Sequence, residues 1–273
     1  MTRTETAVTA PAPTDTSARV PARSFEPASL GEHLRSLGLW SASLALAAPV
    51  LPAMTLGCAL FGPDATLPLQ RWYAKWGLKV TGSSWKSVVH PKVDPNQPYL
   101  FAHNHTNHLD FILMHNATPH YKQGVELEEH FRIPFYGWFM KARGGIPVKR
   151  GVQGQSPEVL AHCQRELDKN HAILVFPEGT RSLDGRVGRF RTGAFFIARD
   201  LGLPVCPVAV TGAFDLMRKG SFVVRPSELT VYVDEPIETR GLDDEGVVAL
   251  AVRVQSIVGA RVDDYWRSKG WNG

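Results

Sequence analysis

Two clusters in this chain carry residue types that can do chemistry. In Asn104-His105-Thr106-Asn107-His108-Leu109-Asp110, a histidine precedes an aspartate by five positions. Imidazole titrates at about 6.5, so it can accept a proton at neutral pH. It does so better when a carboxylate fixes its tautomer and stabilises the imidazolium. The spacing lets His105 sit on a strand-to-helix loop while Asp110 points back from the first helical turn, where a negative charge also suits the helix dipole. The second cluster is Phe176-Pro177-Glu178-Gly179-Thr180-Arg181-Ser182. Pro177 and Gly179 define a tight turn whose amides can approach a phosphate. Arg181 offers a fork of donors that matches phosphate oxygens. Glu178 can bind a substrate hydroxyl or hold an arginine. The chain has no Gly-x-Ser-x-Gly elbow to supply a serine nucleophile. The two clusters together therefore point to an enzyme that activates a hydroxyl of an anionic substrate, with that hydroxyl as the nucleophile.

His103, His105 and His108 raise the question of a metal. A site needs further ligands and an outer shell that this pattern does not supply, and no metal is expected. His103 and His108 read as polar neighbours bonded to backbone. Lys149 and Arg150, then Arg186, Arg189 and Arg191, surround the region and read mostly as solvated surface.

Elements must bring the clusters together. Tyr99–Ala102 reads as a buried strand entering the first cluster, and Ala172–Phe176 as another entering the second. Val205–Val210 and Leu229–Val233 follow as strands. Ser156 and Pro157 predict a helix start, and Val159, Leu160, Cys163 and Leu167 give it an apolar face. A last helix starts near Asp243–Asp244, with Val247, Leu250, Ala251, Val254, Ile257 and Val258 on one side. Strands alternating with helices predict an α/β fold, with a central, mostly parallel sheet covered by helices. Sites in such folds gather at the carboxyl ends of strands, where both clusters fall.

Upstream, no charged residue occurs from Ser36 to Pro63. A membrane-spanning helix needs about 20 apolar residues, but Pro49 and Pro52 interrupt this stretch. Either a kinked spanning helix or two short helices in a hairpin dipping into one leaflet fits, and the hairpin is our expectation. Arg35 before the stretch and Arg71, Lys75, Lys79 and Lys86 after it suit a hairpin with both ends at the cytoplasmic face. The Thr/Ala/Pro-rich start reads as disordered and does not resemble a secretory signal. The resulting division is a disordered tail over 1–30, a membrane-associated segment over 31–70 and a catalytic domain over 71–273.

With 273 residues and 44% hydrophobic content the chain can bury a substantial core. A net charge of +4 favours anionic partners, and no nucleic-acid module is present. The 3 cysteines, Cys58, Cys163 and Cys206, form no Cys-x-x-Cys pair and read as reduced, buried thiols.

The clusters belong to a longer ordered set: Asn-His-x-x-x-x-Asp (104–110), Gly-x-Ile-Pro-Val-x-Arg (144–150), Phe-Pro-Glu-Gly-Thr-Arg-Ser (176–182) and Val-x-Pro-Val (205–208). This set resembles the 1-acylglycerol-3-phosphate (lysophosphatidate) acyltransferase family, over roughly residues 70–240 plus the membrane-entry stretch. Ile133–Trp138 and Phe190–Ala194 add to the likeness. The resemblance implies a helix-covered sheet with an N-terminal membrane-docking helical hairpin, on the cytoplasmic face of the inner or plasma membrane. It implies transfer of a fatty acyl group from acyl-CoA or acyl carrier protein to lysophosphatidic acid, giving phosphatidic acid, with no other cofactor. By the same resemblance His105 is the base and Asp110 its partner. Arg150, Glu178, Gly179, Thr180 and Arg181 bind the acceptor, and Pro207 is part of the acyl pocket or its support. Asn107 replaces the usual serine, and Glu128 a frequent lysine. The alternatives are another acceptor, such as glycerol 3-phosphate, another lysophospholipid or a lyso-aminolipid, or a non-catalytic lipid-binding protein of the membrane.

Overall fold

The computed structural model describes residues 19–149 and 156–272. The chain enters through a long helix, α1 (Leu30–Phe61), and a shorter one, α2 (Leu67–Val80). It then alternates β1 (Ser84–Val89), β2 (Leu100–His103), α3 (Asp110–Ala117), β3 (Lys122–Leu127), α4 (Tyr136–Ala142), β4 (Ile146–Val148), α5 (Pro157–Leu167) and β5 (Ala172–Val175). The remainder is α6 (Gly193–Asp200), β6 (Val205–Thr211), α7 (Ala213–Leu216), β7 (Glu228–Val233) and α8 (Asp244–Ser268).

The strands form a 7-stranded sheet in the order β1-β7-β6-β2-β5-β3-β4, with every pairing parallel except β6 with β7. The expected mostly parallel sheet is therefore present. β2 lies at its centre, and Leu100, Phe101 and Ala102 are fully buried because helices cover both faces. Two clusters of buried side chains fill the faces. Leu78, Phe101, Leu113 and Val231 belong to one, and Ile173, Phe195, Val205 and Val254 to the other. Pro207 in the interior strand β6 stands opposite Asp234, just past the end of β7, so the donor it lacks falls where that ladder has ended, while its carbonyl still takes the Asp234 N–H at 3.0 Å.

The predicted helix starts appear as read. Ser156 Oγ accepts the Val159 N–H at 3.3 Å, and Asp243 caps α8 by accepting the Gly246 N–H at 2.8 Å. All the cysteines are free and buried, and burial pushes the Cys163 thiol up to about 12.

Two expectations need correction. Residues 19–29 are not a loose tail. Val20 and Ala22 are buried against Phe214, Val262 and Trp266, and the Arg23 N–H reaches Asp215 at 3.0 Å. A few apolar side chains suffice to anchor a segment otherwise low in hydrophobicity; residues 1–18 lie outside the described part. Nor does the hairpin break form at Pro49 and Pro52, because α1 is continuous through both. The prolines stand three apart on its exposed side, away from the face that packs on the domain. The opposite face, with Val50, Leu51, Met54 and Cys58, packs on Phe131, Phe139 and Met140 and holds the axis continuous. The outward face is apolar, and α1 is long and apolar enough to cross a membrane.

α1 is fastened to the sheet domain at its start. A capping box joins Ser29 to Glu32, Glu32 pairs with Arg225 at 2.9 Å, and Ser36 Oγ accepts the Val224 N–H at 3.0 Å.

Between β6 and α7, Gly212 has φ +80°, and a Cβ there would stand 2.1 Å from the Glu228 carbonyl oxygen. Gly212→Ala is therefore expected to cost about 2 kcal/mol or more. A melting temperature lowered by about 5 °C or more in thermal denaturation is the expected result; an unchanged value would refute this reading of the turn.

Candidate active site

The loops that follow β2, β5 and β6 meet at one end of the sheet. Asn104 pins the first to β6, because its side chain donates to the Val210 carbonyl at 3.1 Å and accepts the Val210 N–H at 2.8 Å. Asn107 is buried, donates to the Ala213 carbonyl at 2.7 Å and accepts the Leu109 N–H at 2.7 Å. Asn107 thus ties the loop to the turn after β6.

His105 Nδ1 meets Asp110 Oδ2 at 2.9 Å, with the imidazole side chain 23% exposed and the carboxylate 0%. Asp110 is the first residue of α3 and also accepts the backbone N–H groups of Thr106 and Asn107, at 2.6 and 3.0 Å, and the Thr106 hydroxyl at 2.9 Å. Burial pushes this carboxyl up, but the bonds and charges of His105, with His103 and Thr106, outweigh it and the pKa falls below the usual range. An ionised Asp110 makes Nδ1 the donor and leaves Nε2 of a neutral His105 with its lone pair free.

The second cluster clasps the main chain of His105. Glu178 Oε1 accepts the His105 N–H at 2.8 Å, and the His105 carbonyl accepts the Ser182 N–H at 2.7 Å. The Phe176 ring stacks on the imidazole with centroids 4.2 Å apart. Glu178 Oε2 takes the Gly188 N–H at 2.9 Å. Both Glu178 oxygens therefore serve backbone donors. Burial, only partly offset by these bonds, raises the Glu178 carboxyl to about 7.

Gly179 and Thr180 are exposed at the turn, and Arg181 is half-buried beside them. Gly179 has φ +69°, and a Cβ there would lie 3.0 Å from Arg191 Nε; this brings Arg191 against the turn, although it reads as plain surface in the sequence. Arg181 Nη1 donates to His108 Nε2 at 2.8 Å. His108 is thus bonded to a side chain rather than to backbone as expected. Burial and the Arg181 charge lower its pKa, which favours the neutral acceptor form. His103 lies buried behind the site, edge-on to Phe176, and burial lowers its pKa to about 4. Arg150 lies outside the described residues. Glu128 stands apart, paired with Arg132 at 3.4 Å.

Lys219 is a functional candidate that the motifs do not contain. Its ammonium donates to Thr180 Oγ1 at 2.8 Å from the loop after α7. No local pattern marks it; only the sheet order brings residue 219 to residue 180.

The arrangement supplies a base with an oriented lone pair, beside an exposed turn flanked by guanidinium and ammonium groups. It can deprotonate a hydroxyl whose substrate carries an anionic group nearby.

Comparison with known proteins agrees. A family model described as Acyltransferase matches residues 86–211. The chain is 34% identical over 141 residues to the 1-acyl-sn-glycerol-3-phosphate acyltransferase BAT2, chloroplastic, of Brassica napus, covering 51% of this chain and 41% of that protein. It is 30% identical over 162 residues to the human 1-acyl-sn-glycerol-3-phosphate acyltransferase alpha, covering 59% of this chain and 57% of that one. The alignments thus span about two fifths of the plant relative, from the 41% just given, and little more than half of the human one. In fold, the crystal structure of the 1-acyl-sn-glycerophosphate (LPA) acyltransferase PlsC from Thermotoga maritima superposes with a TM-score of 0.71 at 22% identity, over 85% of this chain and 97% of that one. The segment that carries both clusters is thus the part of the chain that is similar to the acyltransferase family.

Removing the Glu178 carboxylate releases the His105 main chain, and a displacement of about 1 Å at a reacting group can cost about a hundredfold in rate. Glu178→Ala is expected to lower kcat by about ten- to a hundredfold with little change in the acceptor KM. A raised KM with normal kcat would instead make Glu178 a substrate ligand. The raised pKa gives a second readout. Between about 4.5 and about 7 the folded state holds a proton that the unfolded state has released, so this group's contribution to stability falls as pH rises through that window. The melting-temperature advantage of wild type over Glu178→Gln should shrink from pH 4.5 to 7; a constant difference would refute the raised pKa.

Proposed function

We propose that this protein is an O-acyltransferase that moves a fatty acyl group from acyl-CoA or acyl carrier protein to the hydroxyl of lysophosphatidic acid, giving phosphatidic acid. The observation that carries this reading is the 2.9 Å contact of His105 Nδ1 with buried Asp110, beside the exposed turn of Gly179, Thr180 and Arg181. His105 Nε2 takes the acceptor hydroxyl proton as that oxygen attacks the thioester carbonyl carbon. Asp110 stabilises the imidazolium. The carbon–sulfur bond then breaks, and the departing thiolate recovers the proton from Nε2. The new ester and the free thiol balance the reaction, which consumes no cofactor and forms no acyl-enzyme.

Arg181, at the exposed turn, holds the acceptor phosphate, and by the motif resemblance Arg150 joins it. Glu178 acts through His105, and Pro207 supports the floor of the site from β6. The membrane-associated segment is residues 31–70 and the catalytic domain 71–273.

The lipid acceptor has a physical route to the site. Leu34, Leu37, Leu44, Leu56 and Leu60 of α1 are exposed, while Leu39 and Trp40 pack inward against a core shared with Leu109 and Phe176. An outward apolar helix packed on the same core as the catalytic loop supports docking on a bilayer. Arg71, Lys75 and Lys79 on α2 suit an anionic leaflet at the cytoplasmic face.

The test is acyl transfer by the purified chain in detergent, with lysophosphatidic acid and a panel of acyl-CoA and acyl-carrier thioesters. Wild type should form phosphatidic acid, and His105→Ala should lose at least about a hundredfold in kcat while still binding vesicles. Retained activity would remove His105 from the mechanism. Arg181→Ala should raise the KM for the phosphorylated acceptor about tenfold or more; an unchanged KM would mean that this arginine does not read the phosphate.

A further inference from the structure

The loop between α7 and β7 reaches both the site and α1. At one end Lys219 donates to Thr180 Oγ1 at 2.8 Å. Three residues on, the Phe222 side chain is 81% exposed. Its carbonyl accepts the Trp40 indole N–H of α1 at 2.9 Å, and the two rings meet edge-on at 6.4 Å. The Ser36–Val224 and Glu32–Arg225 contacts bind the rest of the loop to α1. Lys219 is therefore held between the exposed turn and the apolar helix.

Its electrostatic setting is incomplete. Among the described residues, neither Lys219 nor Arg181 forms an ion pair; their partners are a hydroxyl and a neutral imidazole. Lys219 beside Thr180, and Arg181 next in the same turn, thus carry two cationic groups that no carboxylate pairs with among the described residues. An ammonium on a flexible stem serves as a point-charge phosphate ligand, complementing the fixed fork of an arginine.

We propose that Lys219 is a headgroup ligand and a determinant of acceptor specificity. It binds the phosphate monoester of the lipid acceptor opposite Arg181, at the edge of the site nearest the bilayer. This assignment rests on the acyl-acceptor reading above and extends it to a residue outside the family motifs. Thr180 holds the ammonium and shares it with the phosphate when the acceptor enters. The α1 contacts of the same loop keep the cation level with the surface from which a headgroup arrives.

The experiment compares wild type, Lys219→Met and Lys219→Arg, full length in detergent. The dissociation constants of lysophosphatidic acid and of monoacylglycerol are measured without donor, and KM and kcat with donor. Lys219→Met should weaken lysophosphatidic acid binding and raise its KM about tenfold or more, with kcat within about threefold and monoacylglycerol binding unchanged. Lys219→Arg should recover most of the loss. Unchanged binding of lysophosphatidic acid to Lys219→Met would overturn the assignment, as would an equal loss for both lipids, which a structural role predicts. Lys219-dependent binding by a wild type that transfers no acyl group would uphold the headgroup site and sink the acyltransferase reading.

Discussion

The site depends on how the main chain of His105 is held. An imidazole on a loop is a useful base only if the loop cannot move. Here the His105 N–H is bound by the Glu178 carboxylate and its carbonyl by the Ser182 N–H, so a segment about seventy residues away grips the main chain of one residue on both sides. The side chain is then fixed twice more, by Asp110 at Nδ1 and by the Phe176 ring. Each of these contacts is ordinary in strength. Together they leave the imidazole little freedom except to take and return a proton at Nε2.

Such a clasp requires a particular strand order. β5 and β6 lie on either side of β2 and parallel to it, so the loops leaving all three emerge at the same end, side by side. The glutamate arrives from one neighbour, and the Val210 and Ala213 backbone groups that fix Asn104 and Asn107 arrive from the other. The antiparallel return of β7 along β6 sends the chain back through this end of the sheet. The loop it creates joins α1 to the site. Catalytic geometry and attachment of the apolar helix are thus consequences of one topology.

This also explains what could be read in advance. The His105–Asp110 pair was legible because it is local: a strand end, a short loop and a helix start determine it. Strands β2, β5, β6 and β7 were legible as short apolar runs. β1 was not, being an exposed edge strand, and neither was β3, which opens with buried polar residues, Lys122 and Gln123. Lys122 is buried because its ammonium meets the Thr118 and His120 carbonyls at 3.2 and 3.0 Å. Burial, with the charges of Arg71 and Arg143, drives its pKa well down. The long-range ties of Glu178, Asn107 and Lys219 were hidden, since their partners are set by sheet order alone. The prolines of α1 misled because proline reports a missing donor in the helix, not the packing on the opposite face.

The two carboxylates around His105 divide their work by environment. Asp110 collects two backbone donors, a hydroxyl and the imidazole, and these outweigh its burial. Glu178 collects two backbone donors and no side-chain donor, and the Asp110 charge adds to its burial in opposing ionisation. If both were strongly ionised, the imidazolium would be held by two negative charges and would release its proton less readily to a leaving thiolate. A Glu178 whose pKa lies near neutrality limits that excess while still binding the N–H groups that place the base. The environments that separate the two acids therefore let one stabilise charge on the imidazole while the other fixes its position, the same division of roles that unequal carboxylates provide in other active sites.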